Sequence, residues 1–313
     1  MTIKELIPVY LAHLRITGRA ERTIKNTRYS LNDFVRFLDG EEILNIEDIT
    51  AEVMLAYQED LAFRLTAGGK LLAIRSQDKP LSVARGFARY AHEQDYLVSD
   101  PGKKIKPPRK PKTLPRGIMS QQEVKKVIDA TDMHESRGYR NRIVLEILYD
   151  TAIRRQEICN IKISDIDLDE GYVHIRGGKG NKDRVTPVSK RVCDLIGNYI
   201  LAVRPAFIKG KDDGYLILNR WGQKMDATGM GIWSIVKRYV RLAGIDKNVS
   251  PHTFRHTCAT HMLKNGAPVR HIQEMLGHES LESTQIYTRV TINDLKEIHA
   301  KYHPSETMNK KER

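Results

Sequence analysis

Residues 101–116 constrain the fold of this chain more than any other stretch. They hold seven cations (Lys103, Lys104, Lys106, Arg109, Lys110, Lys112 and Arg116), five prolines and no acidic residue. Prolines fix φ and remove backbone donors, and like charges repel, so such a segment is extended and joins no helix or sheet interior. A 313-residue chain interrupted there divides into two folding units, each long enough to bury a core. The expected boundaries are a first unit over 1–107, a linker over 108–116, a second unit over 117–303 and a polar, disordered tail over 304–313. The linker reads either as a solvated tether or as a strap against phosphates. The lack of acids favours the strap, with Lys103, Lys104, Lys106, Arg109, Lys110 and Lys112 as backbone contacts.

The first unit reads as helical throughout. Thr2 and Glu5 form a capping box ahead of Leu6, Ile7, Tyr10, Leu11 and Leu14. A second helix is expected over 23–38, ended by Gly40, with Leu31, Phe34, Val35 and Leu38 on one face. Thr50 caps a third, and a fourth is expected over 81–96. In the second unit, Ser120 and Glu123 form another capping box, with helices over 120–131 and 139–151. Alternation over 172–176 and 184–188 predicts two strands around the glycine-rich, basic turn Gly178-Lys179-Gly180-Asn181-Lys182. Leu216–Leu218 is a candidate third strand. From about 228 the pattern is helical again, broken near Gly244, Gly266 and Gly277. The expected class is therefore mainly α with a small antiparallel sheet.

Net charge is +13, which points to a polyanionic partner, most simply nucleic acid, although a merely soluble basic protein has the same signature. The three cysteines, Cys159, Cys193 and Cys258, lie far apart and form no C-x-x-C pair, as expected in a reducing compartment. No run reaches the ~18 apolar residues that span a bilayer, and no apolar signal core follows the N-terminus; a cytoplasmic protein is expected.

The chemistry-bearing candidates lie in the second unit. Arg154, Lys179, His252, Arg255, His278 and Tyr287 offer two guanidiniums, an amine, two imidazoles and a phenol. Such groups can attack a phosphodiester without a metal: guanidiniums hold phosphate oxygens bidentately, and a phenol can be the nucleophile. Each candidate also has a plain reading. Arg154 with Glu157 is equally a helix-surface ion pair. His252 and Arg255 share a helix face after Pro251, but a His beside an Arg is commonly a surface pair. His252 and His256 have H-x-x-x-H spacing, yet Thr253 stands where H-E-x-x-H has its glutamate, which weakens a zinc reading. Lys179 and Lys182 on a basic hairpin are either solvated or directed at a DNA groove. Nothing in period or charge singles out Tyr287 among 13 tyrosines.

The pieces gain meaning together. Thr-x-x-Arg-x-x-Glu at 151–157, Gly-Lys-Gly-Asn-Lys at 178–182, His-Thr-x-Arg-His at 252–256, Leu-Gly-His at 276–278 and Thr-Gln-Ile-Tyr at 284–287 occur in order. The chain resembles the tyrosine recombinase (phage integrase) family, especially its Xer-type members, over nearly its whole length. The resemblance implies a helical, SAM-like core-binding domain followed by a mixed α/β catalytic domain, the two embracing duplex DNA. It implies that Tyr287 forms a 3′-phosphotyrosyl link and that Arg154 and Arg255 clamp the scissile phosphate. Lys179 would protonate the leaving 5′-oxygen, His252 would serve acid–base transfer, His278 would bind the phosphate, and Glu157 would support from behind. No metal or cofactor is implied. The implied partners are a double-stranded recombination site and a homotetramer, or a heterotetramer with a related recombinase, with a C-terminal helix over 291–302 packing on a neighbour. A non-catalytic architectural DNA-binding protein of the same fold is the alternative. The family usually has glycine where this chain has Ala152, and a small or apolar pair where it has Arg155-Gln156.

Overall fold

A computed structural model describes residues 1–109, 117–177, 183–277 and 292–307. The chain divides into two compact units, Met1–Thr113 and Leu114–Arg313.

The first unit packs four helices around one core: α1 (Ile3–Ile16), α2 (Glu21–Gly40), α3 (Ala51–Phe63) and α4 (Ile74–Glu93). The capping box at Thr2 and Glu5 is formed, and Thr50 caps α3 through the Val53 N–H. Leu31, Phe34 and Leu38 of α2 are buried, as their spacing predicts. Gly40 does not terminate α2 through a left-handed conformation; that conformation falls two residues later, at Glu42, with φ 58°. α4 starts seven residues before the expected position. Pro80 lies inside the helix, and Gln77 anchors the extra turns by donating to the Leu72 carbonyl at 2.7 Å. The start of the proline-rich stretch belongs to this unit. Ile105 is buried in its core, Gln58 donates to the Lys106 carbonyl at 2.9 Å, and Asp100 caps a turn at the Gly102 N–H. Lys103, Lys104, Lys106 and Arg109 are exposed, whereas Lys110, Lys112 and Arg116 lie outside the described residues.

The second unit is built on α6 (Ser136–Asp150), nearly all of whose inner turns are buried. Around it pack α5 (Gln121–Asp129), which starts from the expected Ser120–Glu123 capping box, and the short α7 (Arg155–Asn160). A three-stranded antiparallel sheet follows: β1 (Ile166–Asp167), β2 (Tyr172–Ile175) and β3 (Arg184–Pro187), in that order. Ile175 pairs with Arg184 at the base of the hairpin whose turn, 178–182, lies outside the described residues. Leu216–Leu218 forms no strand of this sheet. Its neighbourhood contributes isolated bridges, Lys162–Tyr215 and Leu218–Lys224, and the three residues are simply core. The rest is helical: α8 (Lys190–Asn198), α9 (Met230–Leu242), α10 (Pro251–Lys264), α11 (Val269–Leu276), α12 (Ile292–Tyr302) and α13 (Pro304–Thr307). Cys159, Cys193 and Cys258 are free and buried. Among the described residues no helix is long and apolar enough to cross a membrane.

One expectation at the C-terminal end is corrected. The expected disordered tail over 304–313 does not hold for its first residues: Pro304–Thr307 form a helical turn, and Ser305 is buried with its N–H donated to His303 Nδ1 at 3.1 Å, while 308–313 lie outside the described residues. Within the chain, α12 packs on β3, α10 and α11. His299 and His303 are buried beside Asp150, and Lys296 pairs with Glu170 at 2.9 Å.

Candidate functional site

The site is assembled where α6 ends and α7 begins. α6 stops at Asp150, and Ala152 turns the chain with φ 52°, in the left-handed region that favours glycine. The resemblance places glycine at this position, and the conformation explains why; alanine adopts it here nonetheless. The turn sends the Ala152 carbonyl to Arg255 Nη1 at 2.7 Å and leaves Arg154 as the residue preceding α7.

Glu157 then anchors Arg154 twice. It accepts the Arg154 backbone N–H at 2.7 Å and its Nη1 at 2.9 Å. The Arg154–Glu157 pair is therefore not a surface pair: the glutamate side chain is only 7% exposed. Burial works against ionisation of Glu157, but Arg184 and Arg154 outweigh it, and its carboxyl titrates below the usual range.

Arg255 comes from α10, started by Ser250 as N-cap with Pro251 in the first turn. Phe254 and Met262 of α10 are buried, and Leu263 is exposed. Arg255 is buried and its donors go to backbone carbonyls, those of Ala152 and Leu276, with no carboxylate partner of its own among the described residues. Burial, and then the charge of nearby Arg154, lower its guanidinium to about 10. Arg154 Nη2 also donates to a carbonyl, that of Gly277, at 3.0 Å.

His252 is exposed one turn before Arg255 on α10, its ring edge-on to that of His256 with centroids 4.5 Å apart. It lines a cavity of about 370 Å³ with Arg154, Arg155, Arg255, Gln156 and Trp233. The named lining contains three guanidiniums and no carboxylate, so the cavity presents net positive charge. Gln156 Nε2 donates to the Ala227 carbonyl at 3.0 Å. The structure thus brings together Arg154, Arg255, His252 and Glu157. Lys179, Lys182, His278 and Tyr287 lie outside the described residues.

Sequence reasoning passed over two features. Arg184 reads as an ordinary strand residue, yet it grips Glu157 with both Nη atoms, at 2.9 and 2.7 Å. Along α9, Trp233 also borders a second concavity lined by Lys237, Arg238, Arg241 and Lys247. The signal for this stripe was available, as cations three to four apart on a helix flanked by Trp233.

Elsewhere, Asp150, His299 and His303 place potential metal-ligand atoms within 4.8 Å of one another. Their polar atoms are already engaged: Asp150 accepts from the Ser189 N–H and Oγ at 2.8 Å each, and His299 Nε2 meets the Asp150 carbonyl at 3.0 Å. The trio acts as a buried staple between α6 and the C-terminal helices.

The described geometry is a cationic cavity able to receive an anion. The phage integrase family model matches residues 118–293. The chain is 34% identical over 303 residues to the tyrosine recombinase XerD of Staphylococcus haemolyticus, covering 96% of this chain and 99% of that protein. It is 33% identical over 305 residues to the tyrosine recombinase XerC 2 of Ralstonia nicotianae, covering 97% and 87%. Among solved structures, a lambda integrase tetramer bound to a Holliday junction shares the fold with a TM-score of 0.68 at 18% identity, covering 92% of this chain and 81% of that one. Motif order, fold and sequence similarity converge, and the chain belongs to the phage integrase family.

Proposed function

We propose that the chain is a site-specific DNA recombinase that cuts and rejoins duplex DNA through a 3′-phosphotyrosyl link on Tyr287. The carrying observation is the pairing of Arg154 and Arg255 on one cationic cavity, with Arg255 buried and, among the described residues, unmatched by any carboxylate of its own. A buried guanidinium held only by carbonyl oxygens keeps its full charge for an arriving anion. A phosphate seated there has its non-bridging oxygens facing two guanidinium forks. The charge that builds in the pentacovalent transition state is then stabilised by groups already in place.

His252 at the cavity rim serves proton transfer with the tyrosyl oxygen, Lys179 protonates the leaving 5′-oxygen, and His278 hydrogen-bonds the phosphate. A phenol of ordinary pKa near 10 is almost wholly protonated at neutral pH, so such a base and cationic field are what it requires. The tyrosyl ester conserves the phosphoester bond, so religation needs no external energy source. The α9 stripe of Lys237, Arg238 and Arg241 continues from the cavity through Trp233 and suits the neighbouring backbone phosphates. Lys103, Lys104, Lys106 and Arg109 would supply further phosphate contacts from the first unit. The reaction proceeds one strand pair at a time through a Holliday junction in a tetramer, of this chain alone or with a related recombinase. It serves chromosome-dimer resolution or mobile-element integration and excision.

The test is a nicked suicide duplex carrying the site that the full chain selects from a random duplex library. Wild type forms an SDS-resistant adduct and Tyr287→Phe forms none. Specific binding without an adduct in wild type would instead establish an architectural DNA-binding protein.

A further inference from the structure

Glu157 has a second cationic partner, stronger than the one its motif assigns. Its Oε1 accepts from Arg154 Nη1 and Arg184 Nη1, each at 2.9 Å. Its Oε2 accepts from the Arg154 N–H and Arg184 Nη2, each at 2.7 Å. Those four bonds fill the acceptor capacity of a carboxylate. The bidentate fork belongs to Arg184, which also donates from Nε to the Met275 carbonyl at 3.3 Å. Its side chain is 13% exposed and packs under Gly277, where a Cβ would stand 3.1 Å from Arg184 Cδ.

A carboxylate behind a phosphate-binding arginine presents a conflict. It orients the guanidinium, but alone it would also neutralise it. With Arg184 as second cation, the buried trio retains one net positive charge, and Arg154 faces the cavity uncancelled. We propose that Arg184 is a positioning residue for the recombination chemistry: it neutralises and fixes Glu157, so that Arg154 is oriented by the carboxylate without losing its charge to it. The same side chain ties the first residue of β3, at the foot of the hairpin that carries Lys179, to the start of α7 and the end of α11. The inference rests on the phosphotyrosyl reading above.

The experiment compares wild type, Arg184→Met, Glu157→Gln and the double variant. The readouts are adduct rate on the selected suicide duplex, affinity for the intact site by gel shift, and urea unfolding. By analogy with residues that orient metal ligands from behind, Arg184→Met slows adduct formation about 10- to 100-fold. Affinity stays within about threefold, because the loss falls on the transition state. Adding Glu157→Gln restores about tenfold or more of the lost rate, since a neutral amide no longer cancels Arg154. A second substitution that removes still more bonding cannot rescue a merely weakened fold, so rescue separates the two roles. An unchanged rate in Arg184→Met, equal losses in rate and affinity, or no rescue in the double variant would each overturn the proposal. If Arg184→Met does not fold, Arg184→Lys carries the test: it keeps the charge but loses the fork, and a wild-type rate there sinks the idea. No adduct from wild type itself would be a different result, removing the phosphotyrosyl reading.

Discussion

Acidification should weaken the second unit chiefly through His303, and the size of the effect follows from its surroundings. The ring is fully buried. Nδ1 accepts the Ser305 N–H, and Nε2 donates to the Tyr149 carbonyl at 3.1 Å, with Cys258 Sγ 3.4 Å from the same nitrogen. Stacked His299 lies 4.5 Å away, and Asp150 Oδ1 is 3.6 Å from Nδ1. Burial, then His299, lower the imidazole to about 3, against the opposing pull of Asp150. The unfolded chain takes up this proton near pH 6.5, while the folded chain refuses it until about 3. Stability is therefore full above pH 6.5 and falls as pH drops, by about 1.4 kcal/mol per unit for this group. Between pH 6.5 and 5.0 that amounts to about 2 kcal/mol. His261 and His256 are also lowered by burial and add in the same direction, so the contribution of His303 must be isolated by difference. Trp221 and Trp233 are the only tryptophans, and both lie in the second unit, so their fluorescence in urea reports that unit alone. His303→Gln costs about 1–3 kcal/mol at pH 7.5 through its lost bonds, a cost that cancels in the comparison. The expected outcome is that the variant loses about 2 kcal/mol less than wild type between pH 7.5 and 5.0. Equal losses in both would refute the assignment of a refused proton to His303.

Arg255→Ala should slow adduct formation about 10²- to 10³-fold, as removal of one transition-state donor does elsewhere, with a much smaller loss of affinity. Equal losses in the two assays would make Arg255 a binding residue only. Replacing Lys103, Lys104 and Lys106 together by alanine should lower the slope of log affinity against log salt by about 2–3 if each neutralises one phosphate. An unchanged slope would remove those lysines from the interface.

Features whose partners lie within one turn were legible in the sequence. The caps at Thr2, Thr50 and Ser120 each bond a backbone N–H three residues ahead, so the local sequence encodes them fully. The early start of α4 was not, because no side-chain cap marks it: Ala73 precedes the helix. The strand expected at Leu216–Leu218 failed for a related reason. Three consecutive buried apolar residues state burial but not pairing. The end of the chain was misread because composition alone showed polar residues. Burial of His303 and Ser305 depends on Tyr149, Asp150 and Cys258, more than forty residues distant in every case. Arg184 was missed likewise: alternation placed it correctly on a strand, but its bond to Glu157 spans 27 residues.

What joins these distant pieces is the C-terminal end of α11. Its last carbonyls have no intrahelical donors and carry partial negative charge. Three arginines take successive ones: Arg184 that of Met275, Arg255 that of Leu276 and Arg154 that of Gly277. A carbonyl orients a guanidinium nearly as well as a carboxylate does but cancels none of its charge. Among the described residues the one carboxylate in the cluster, Glu157, is matched by Arg184, so Arg154 and Arg255 reach the cavity aimed and still cationic. This arrangement gives the Leu-Gly-His motif a physical task that its letters do not disclose. Gly277, at φ 61°, turns the chain out of α11 so that its carbonyl meets Arg154, and it leaves room for Arg184 beneath. The strained turn at Ala152 is the complementary half, since it presents the carbonyl that fixes the other fork of Arg255.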